Sequence, residues 1–405
     1  MYHIPLRELW WLVAGGAGYG VRYVHLRVSN ARGGRRTPAG ADPTGDLLRL
    51  QTLYGYNAHS LVSIAPGARL WSTPEIDGAI IYSEFGRVWL AAGDPLASEE
   101  DSIELARLFM AAAKSQGRVA AFVPVTARFA RQAASLGLGA VKVGAAPYFD
   151  LQTWAPRGDR AKRMRAGVNQ ARRAGVSVEE VAADASLRDE TEKLCRRWLD
   201  TRRAAVSFGW LFLLDPFQHA AHKKFFAARD RSGALAGFLA ASPIPARGGW
   251  YLEDVLRHPE APAGTADLLV FEALARLAAS GAKMATLGTS PLAHEGEVDV
   301  PAGDFPLVER ALGLASKRLG AFYNFEGLRR FKSKFVPTHW ESEYVLGPHG
   351  RTMPPRVAYA VVRAIAPGGI PQLLTRQVAR TIRAGRRPGR QTTTAQLTHK
   401  QSKET

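Results

Sequence analysis

Trp250-Tyr-Leu-Glu-Asp-Val-Leu-Arg-His-Pro-Glu-Ala-Pro-Ala-Gly-Thr265 changes character twice within a short span. Gly249–Leu256 is rich in aromatic and branched apolar residues and reads as a strand. The segment Pro259–Pro262 ends it, and Gly264-Thr265 opens a strongly apolar helical stretch, Thr265–Ser280. A further strand at Met284–Leu287 completes a strand–helix–strand unit, the mark of a mixed α/β fold. On an ideal strand Trp250, Leu252, Asp254 and Leu256 share one face, so Asp254 is an acid among apolar neighbours. Such a setting raises a carboxyl's pKa or demands a partner. Arg257 is the nearest cation, but a spacing of three puts it on the opposite face. The two cooperate only where the strand bends or ends. The free N–H groups at Gly264-Thr265 form a ready anion site. A strand-end salt bridge with an ordinary helix cap fits the same spacing.

Outward from this stretch the alternation continues. Leu187–Arg203 and Phe305–Leu319 read as helices and Leu235–Ser242 as a strand. Nearer the N-terminus, strands are expected at Ala79–Ser83, Val88–Ala92 and Val119–Val125, with a last one ending near Asp150. Helices are expected at Glu99–Gln116, after the Gly93-Asp94-Pro95 turn, and at Ala127–Leu136. Residues 30–45 read as a linker rich in Gly, Pro and Arg. A chain of 405 residues exceeds one ordinary core. Two α/β (α+β) units of similar size and order suggest a structural duplication, although no residue-level repeat is visible.

The charge is unevenly placed. The chain carries a formal +18, and residues 1–36, 157–173 and 351–405 supply all of that excess. Clustered cations attract polyanions such as nucleic acid backbones and anionic lipid surfaces. In the middle cluster Met164, Val168 and Ala171 fall near one helical face, while Arg160, Lys162, Arg163, Arg165, Arg172 and Arg173 cover the others with Asn169 among them. In Phe322–Phe335 aromatics and cations interleave: Phe325, Leu328, Phe331 and Phe335 share a face, with Arg329, Arg330, Lys332 and Lys334 off it. That pattern describes a core helix with a solvated side, or a contact with backbone phosphate. In the tail, Leu374, Val378 and Ile382 with Arg376, Arg380 and Arg383 outline a basic amphipathic helix suited to a membrane surface. The end of the chain reads as disordered.

Several chemistries are disfavoured. A lone cysteine, Cys195, excludes a disulfide scaffold and a multi-thiolate zinc site, and points to a reducing compartment. Gly16-Ala-Gly-Tyr-Gly20 lacks the lysine and the spacing of a phosphate loop. His219 and His222 have helical ligand spacing with Asp215 nearby, but Pro216 makes Asp215 a better helix cap than a ligand. There is no G-x-S-x-G elbow, and no histidine lies near Cys195 in the sequence to activate it. No run approaches the length of a membrane span, so the chain reads as soluble and without an export signal.

At this point the chain resembles a known family. Tyr323-Asn-Phe-Glu-Gly-Leu-Arg-Arg-Phe-Lys-Ser-Lys-Phe335, with Pro337 and Trp340-Glu-Ser-Glu-Tyr344, is similar to the end of the catalytic domain of phosphatidylglycerol lysyltransferases of the multiple peptide resistance factor type. Asp254-Val-Leu-Arg257 with Pro259, Ala261-Pro262 and Gly264 resembles that family's D-L-M-R…P-x-A-P-x-G segment. Leu287-Gly-Thr-Ser-Pro-Leu292 resembles its L-G-M-A-P-L loop, and the basic stretch with Asn169 its cationic helix.

The resemblance spans about residues 50–346. It implies two tandem GNAT (acyl-CoA N-acyltransferase-like) domains joined by a basic helix. The expected organisation is a basic segment and linker (1–45), an N-terminal domain (46–156), a connecting helix (157–178), a catalytic domain (179–348) and a basic tail (349–405). It also implies transfer of an amino acid, Lys or Ala, from aminoacyl-tRNA to a hydroxyl of phosphatidylglycerol, changing membrane charge and resistance to cationic peptides.

Asp254 and Arg257 take the catalytic positions. The cations of the middle helix with Asn169 take the tRNA. Gly264, Thr265, Asn324, Arg329, Lys332 and Lys334 take the lipid or substrate, and Arg376, Arg380 and Arg383 the membrane. No metal or cofactor is called for. The expected setting is the cytoplasmic side of the membrane, with a separate flippase as partner. Asp254-Val255-Leu256 departs from the family's D-L-M wording. The other readings of this fold and charge are an acyl-CoA-dependent N-acyltransferase, aminoacyl transfer to a non-lipid acceptor, and a non-catalytic tRNA- or membrane-binding protein.

Overall fold

The computed structural model describes residues 43–66, 68–201, 214–296, 325–348 and 354–365. The helix expected at Phe305–Leu319, most of the N-terminal segment and the tail beyond residue 365 lie outside them. The described strands form one sheet: β1 (Arg69–Thr73), β2 (Ile76–Phe85), β3 (Val88–Ala92), β4 (Val119–Thr126), β5 (Leu138–Asp150), β6 (Ser177–Val181), β7 (Lys224–Arg229), β8 (Leu235–Ile244), β9 (Gly249–Arg257), β10 (Met284–Thr286) and β12 (His339–Pro348). Their spatial order is β1-β2-β3-β4-β12-β5-β10-β9-β8-β7-β6, with the two-residue β11 (Ser290–Pro291) pairing β5 off this path.

Two pairs in this sheet are parallel, β3 with β4 and β9 with β10. A parallel pair needs a crossover, and in each case a helix supplies it. These helices are α2 (Ser102–Ser115) and α6 (Thr265–Ala279); α1 (Pro43–Tyr54) precedes the sheet, and α3 (Ala127–Ala133), α4 (Lys162–Arg173) and α5 (Ala185–Thr201) lie between strands. Helix α2 buries Leu105, Phe109 and Ala113, and the Phe109 ring packs 5.4 Å from Trp89 and 5.8 Å from Phe122. Burial of one such ring contributes roughly 1.5–3 kcal/mol. Helix α6 is apolar almost all round because it is enclosed: Leu268, Leu269, Val270, Ala273, Leu274 and Leu277 are buried.

The basic helix α4 inserts Met164, Val168 and Ala171 into the core that holds α6. It crosses the start of α6 at two glycines. A Cβ on Gly264 would meet the Gly167 carbonyl oxygen at 2.0 Å, and Gly264 has a φ of +85°. Only glycine fits both the backbone conformation and the approach.

Three boundaries differ from expectation. Helix α1 starts at Pro43, inside the expected linker, because proline at the first helical position loses no hydrogen bond. Strand β12, expected with the second unit, lies between β4 and β5 of the first. Its Tyr344 and Leu346 join the core around α2, and Val345 joins the opposite face. The expected tail contains an ordered helix, α8 (Pro355–Ile365), which buries Val357, Ala360 and Ala364 against Val88, Leu90 and Ala121.

Candidate active site

Strand β9 does not alternate regularly. Ala240 pairs with Asp254 and Ala241 with Leu252, so Glu253 is an extra residue in a β-bulge. The bulge changes the phase of the strand. Leu252 belongs to the core beneath α6, whereas Leu256 belongs to the core beneath α5. The single face expected for Trp250, Leu252, Asp254 and Leu256 is thereby broken.

Glu253 is buried and fully engaged. It forms an ion pair with Lys223, the two side chains being 5% and 1% exposed, and accepts a 3.0 Å hydrogen bond from Ser242 Oγ. Asp254, by contrast, has no hydrogen-bond partner among the described residues. Burial and then the charge of Glu253 push its pKa up to about 8, with Lys223 opposing. A carboxyl of that kind exchanges a proton near neutral pH. Burial pushes the neighbouring Cys195 thiol up to about 12, which makes it a poor nucleophile.

Arg257 closes the strand, donating from Nη1 to the Ala261 carbonyl at 3.1 Å. It braces the Pro259–Pro262 turn and makes no ion pair with Asp254. Thr265 is fully buried and donates to the Pro262 carbonyl at 2.7 Å. With Gly264 against Gly167, the start of α6 is a packing contact with α4, which corrects the expectation of an open anion site.

A second polar cluster adjoins this one. His59, in the loop after α1, places Nε2 3.0 Å from Thr289 Oγ1 and 3.7 Å from Glu343 Oε1 of β12. Its ring packs edge-on against Tyr251 of β9 at 5.2 Å. Lys332 of α7 (Phe325–Ser333) is buried and donates to the carbonyls of Gly288 at 2.8 Å and Thr289 at 2.7 Å. Burial lowers its pKa to about 7, with Glu343 opposing. Glu343 is itself buried, and its Oε2 has no partner among the described residues. Tyr251 joins the two clusters, since Glu253, Asp254 and Glu343 all act on its hydroxyl, which burial raises well above the usual phenol range. Gly288 lies under that ring, where a Cβ would meet Tyr251 Cε2 at 2.4 Å.

This arrangement offers acid–base chemistry: a carboxyl able to carry a proton, beside buried donors and acceptors. The matches to known proteins bear on which chemistry it is. Residues 51–347 match the family model described as phosphatidylglycerol lysyltransferase, C-terminal. The chain belongs to this family. A phosphatidylglycerol lysyltransferase of Staphylococcus epidermidis is 23% identical over 274 residues, 67% of this chain and 31% of the relative. One from Bacillus subtilis is 21% identical over 294 residues, 72% of this chain and 33% of the relative. The chain thus spans about a third of the length of these curated relatives.

The C-terminal domain of a putative lysylphosphatidylglycerol synthetase from Agrobacterium fabrum superposes with a TM-score of 0.66 at 23% identity, covering 81% of this chain and 98% of that one. The L-PGS structure from Bacillus licheniformis gives 0.65 at 20% identity, covering 78% and 94%. These likenesses establish the mixed α/β fold of the phosphatidylglycerol lysyltransferase C-terminal family for this chain.

Within that fold the remaining sites are placed as follows. Arg160, Lys162, Arg163, Asn169 and Arg173 are exposed on and just before α4, without side-chain partners among the described residues. Arg165 donates to the Gly158 carbonyl at 2.9 Å, and Arg172 pairs with Glu272 at 2.7 Å. Arg329 pairs with Glu295 and Glu326, and Lys334 with Asp267. With Lys332 on loop carbonyls, each of these three cations has a partner within the protein. His219 donates to the Ile64 carbonyl at 2.7 Å, a structural role. Asn324, Arg376, Arg380 and Arg383 lie outside the described residues.

His59, Tyr251, Glu253, Lys223 and Glu343 were not singled out from the sequence. Glu253 and Glu343 sit inside quoted motifs, next to Asp254 and Tyr344. His59 carries no sequence signal, since its partners are over 190 residues away along the chain.

Proposed function

We propose that the chain transfers an amino acid, Lys or Ala, from aminoacyl-tRNA to a hydroxyl of phosphatidylglycerol at the inner face of the membrane. Asp254 carries the reading: a carboxyl without a hydrogen-bond partner among the described residues, held near neutral pKa, on a segment that resembles the family's catalytic one. Ionised Asp254 takes the proton of the lipid hydroxyl as its oxygen attacks the aminoacyl carbonyl carbon. The bond from that carbon to the ribose oxygen then breaks, and the proton passes to the departing ribose hydroxyl. One ester replaces another, so the step needs no redox partner. In this reading Arg257, at the end of the same strand, neutralises the lipid phosphate or the developing oxyanion.

In this proposal the two halves of the sheet are tandem GNAT-like units. The cations of α4 with Asn169 hold the tRNA, and the basic sequence around Arg376, Arg380 and Arg383 meets anionic lipid. A separate flippase would move the product across the bilayer. The test is a mass-spectrometric comparison of lipids from cells with and without the protein. A new aminoacylated phospholipid is expected, and its mass identifies amino acid and acceptor together. An unchanged lipid profile with the protein well expressed would overturn the lipid acceptor.

A further inference from the structure

The cations of helix α5 have partners that neutralise or cover them, with one exception. Lys193 pairs with Asp189 at 2.6 Å and Arg196 with Glu192 at 3.5 Å, while Arg188 lies over the Phe217 ring with its guanidinium carbon 4.6 Å from the centre. Arg197 has no carboxylate among the described residues. Its Nη1 instead lies 2.7 Å from His258 Nε2, just past the end of β9. The other ring nitrogen, Nδ1, accepts a 3.2 Å hydrogen bond from the Glu260 amide.

These two contacts conflict. A backbone amide and a guanidinium only donate, and a neutral imidazole accepts at one nitrogen and donates at the other. The Glu260 amide is fixed within the Pro259–Pro262 turn, where Ala261 donates to the His258 carbonyl at 3.1 Å and accepts from Arg257. Nδ1 is therefore the acceptor, and Nε2 carries the proton and faces a second donor. Two N–H groups brought together at 2.7 Å call for an oxyanion that accepts from both. The pair lies on the face of the sheet that carries the proposed base. Ala240, the cross-strand partner of Asp254, belongs to the core beneath α5, as does Leu256, and His258 continues that alternation. Helix α4 packs on the opposite face, over the core that holds Leu239 and Ala241.

We infer that Arg197 and His258 form a phosphodiester subsite, which holds the acceptor lipid by its phosphate while Asp254 meets its hydroxyl. Along the extended chain His258 lies about 13 Å beyond Asp254. One glycerol unit between phosphate and hydroxyl, with a hydrogen bond of about 2.7 Å at each end, bridges such a gap. A lipid phosphate is favoured over an RNA phosphate because the cations proposed to hold the tRNA are on the other face. The inference rests on the proposed lipid acceptor and deepens it, leaving the developing oxyanion to Arg257.

The test is the steady-state rate of transfer by the full chain from charged tRNA to phosphatidylglycerol, diluted to different fractions in phosphatidylcholine vesicles. Arg197→Gln should raise the KM for phosphatidylglycerol roughly tenfold, the lower end for a hydrogen bond to a charged group, with the KM for charged tRNA unchanged. Arg197→Lys, which keeps the charge, should recover part of that loss. His258→Asn keeps an acceptor for the Glu260 amide but removes the outward N–H, and should raise the same KM. Arg196→Gln, which removes the same charge from the same helix, should match wild type. Phosphatidylmethanol, a phosphodiester lipid without a hydroxyl, should compete with phosphatidylglycerol, and roughly tenfold more weakly in Arg197→Gln. An unchanged KM for phosphatidylglycerol in both Arg197→Gln and His258→Asn would overturn the inference and leave the lipid acceptor standing. A rise confined to the KM for charged tRNA would assign the pair to RNA phosphate and overturn it as well. Absence of aminoacylated lipid with the wild-type chain in every vesicle would overturn both readings.

Discussion

The two halves of the sheet each carry an aspartate beside a parallel strand pair, and the two aspartates have opposite surroundings. Asp94, just beyond β3, accepts hydrogen bonds from Asn57 Nδ2 at 3.1 Å, the Thr126 amide at 2.9 Å and Thr126 Oγ1 at 2.6 Å. Asp254, within β9, accepts none from the described residues. Burial raises both, but three donors pull Asp94 back, whereas Glu253 drives Asp254 further up. The same residue type is a fastener where donors converge on it and, in the proposed reaction, a proton carrier where they are withheld. The bulge at Glu253 makes the difference, because it spends the nearby cation, Lys223, on the neighbouring acid.

The largest expected effect separates the two acids by activity. Asp254→Asn preserves shape and removes the titration, so transfer from charged tRNA to phosphatidylglycerol vesicles should fall about 10²- to 10⁴-fold. Its melting temperature should not fall. An equal loss from Asp94→Asn, in protein that melts like wild type, would break the comparison.

Gly264→Ala probes the close crossing of α4 and α6 in the second half. The added methyl has no room against Gly167, so urea denaturation should show a loss of about 1–3 kcal/mol. A wild-type midpoint would mean that α4 and α6 are not locked together. Asp94→Ala should cost about 1–3 kcal/mol by the same measurement, because Asn57 and Thr126 lose their acceptor. Transfer per folded molecule should stay at the wild-type level. Reduced turnover in the folded fraction would show that the first half also serves the chemistry.

The last prediction is a slope. Asp254 titrates near 3.8 when unfolded and near 8 when folded, so between those values the folded chain holds a proton that the unfolded chain has lost. Its contribution to stability is therefore full below about pH 4 and declines toward pH 8. Melting temperature should decline less over that window in Asp254→Asn than in wild type, and identical slopes would contradict the raised pKa.

Local patterns carried much of the fold. Val88–Ala92 matches β3 as expected, Val119–Val125 matches β4 within one residue, and the strand expected to end near Asp150 is β5. The helices at 102–115, 162–173 and 265–279 lie within the periodic segments read from the sequence. What the sequence concealed depends on distant pairing. The insertion of β12 between β4 and β5 follows from a register with residues about 200 positions earlier. The strands β1, β6 and β7 are short and have no marked alternation. The site was legible in the same uneven way. Asp254 and its surroundings stood out as an acid in an apolar strand, but the bulge that isolates it did not, since a bulge is set by the partner strand. The cations of α4 were recognisable by spacing. The partners of Arg329, Lys332 and Lys334, namely Glu295, the carbonyls of residues 288 and 289, and Asp267, are remote along the chain and leave no mark in the local spacing.

The most direct measurement is the single-turnover rate of transfer as a function of pH, with wild-type protein saturated with charged tRNA and phosphatidylglycerol vesicles. With Asp254 as the base, the rate should climb about tenfold per pH unit below its pKa and level off near pH 8. A rate independent of pH from 6 to 9, after subtraction of uncatalysed ester hydrolysis, would contradict Asp254 as the proton acceptor.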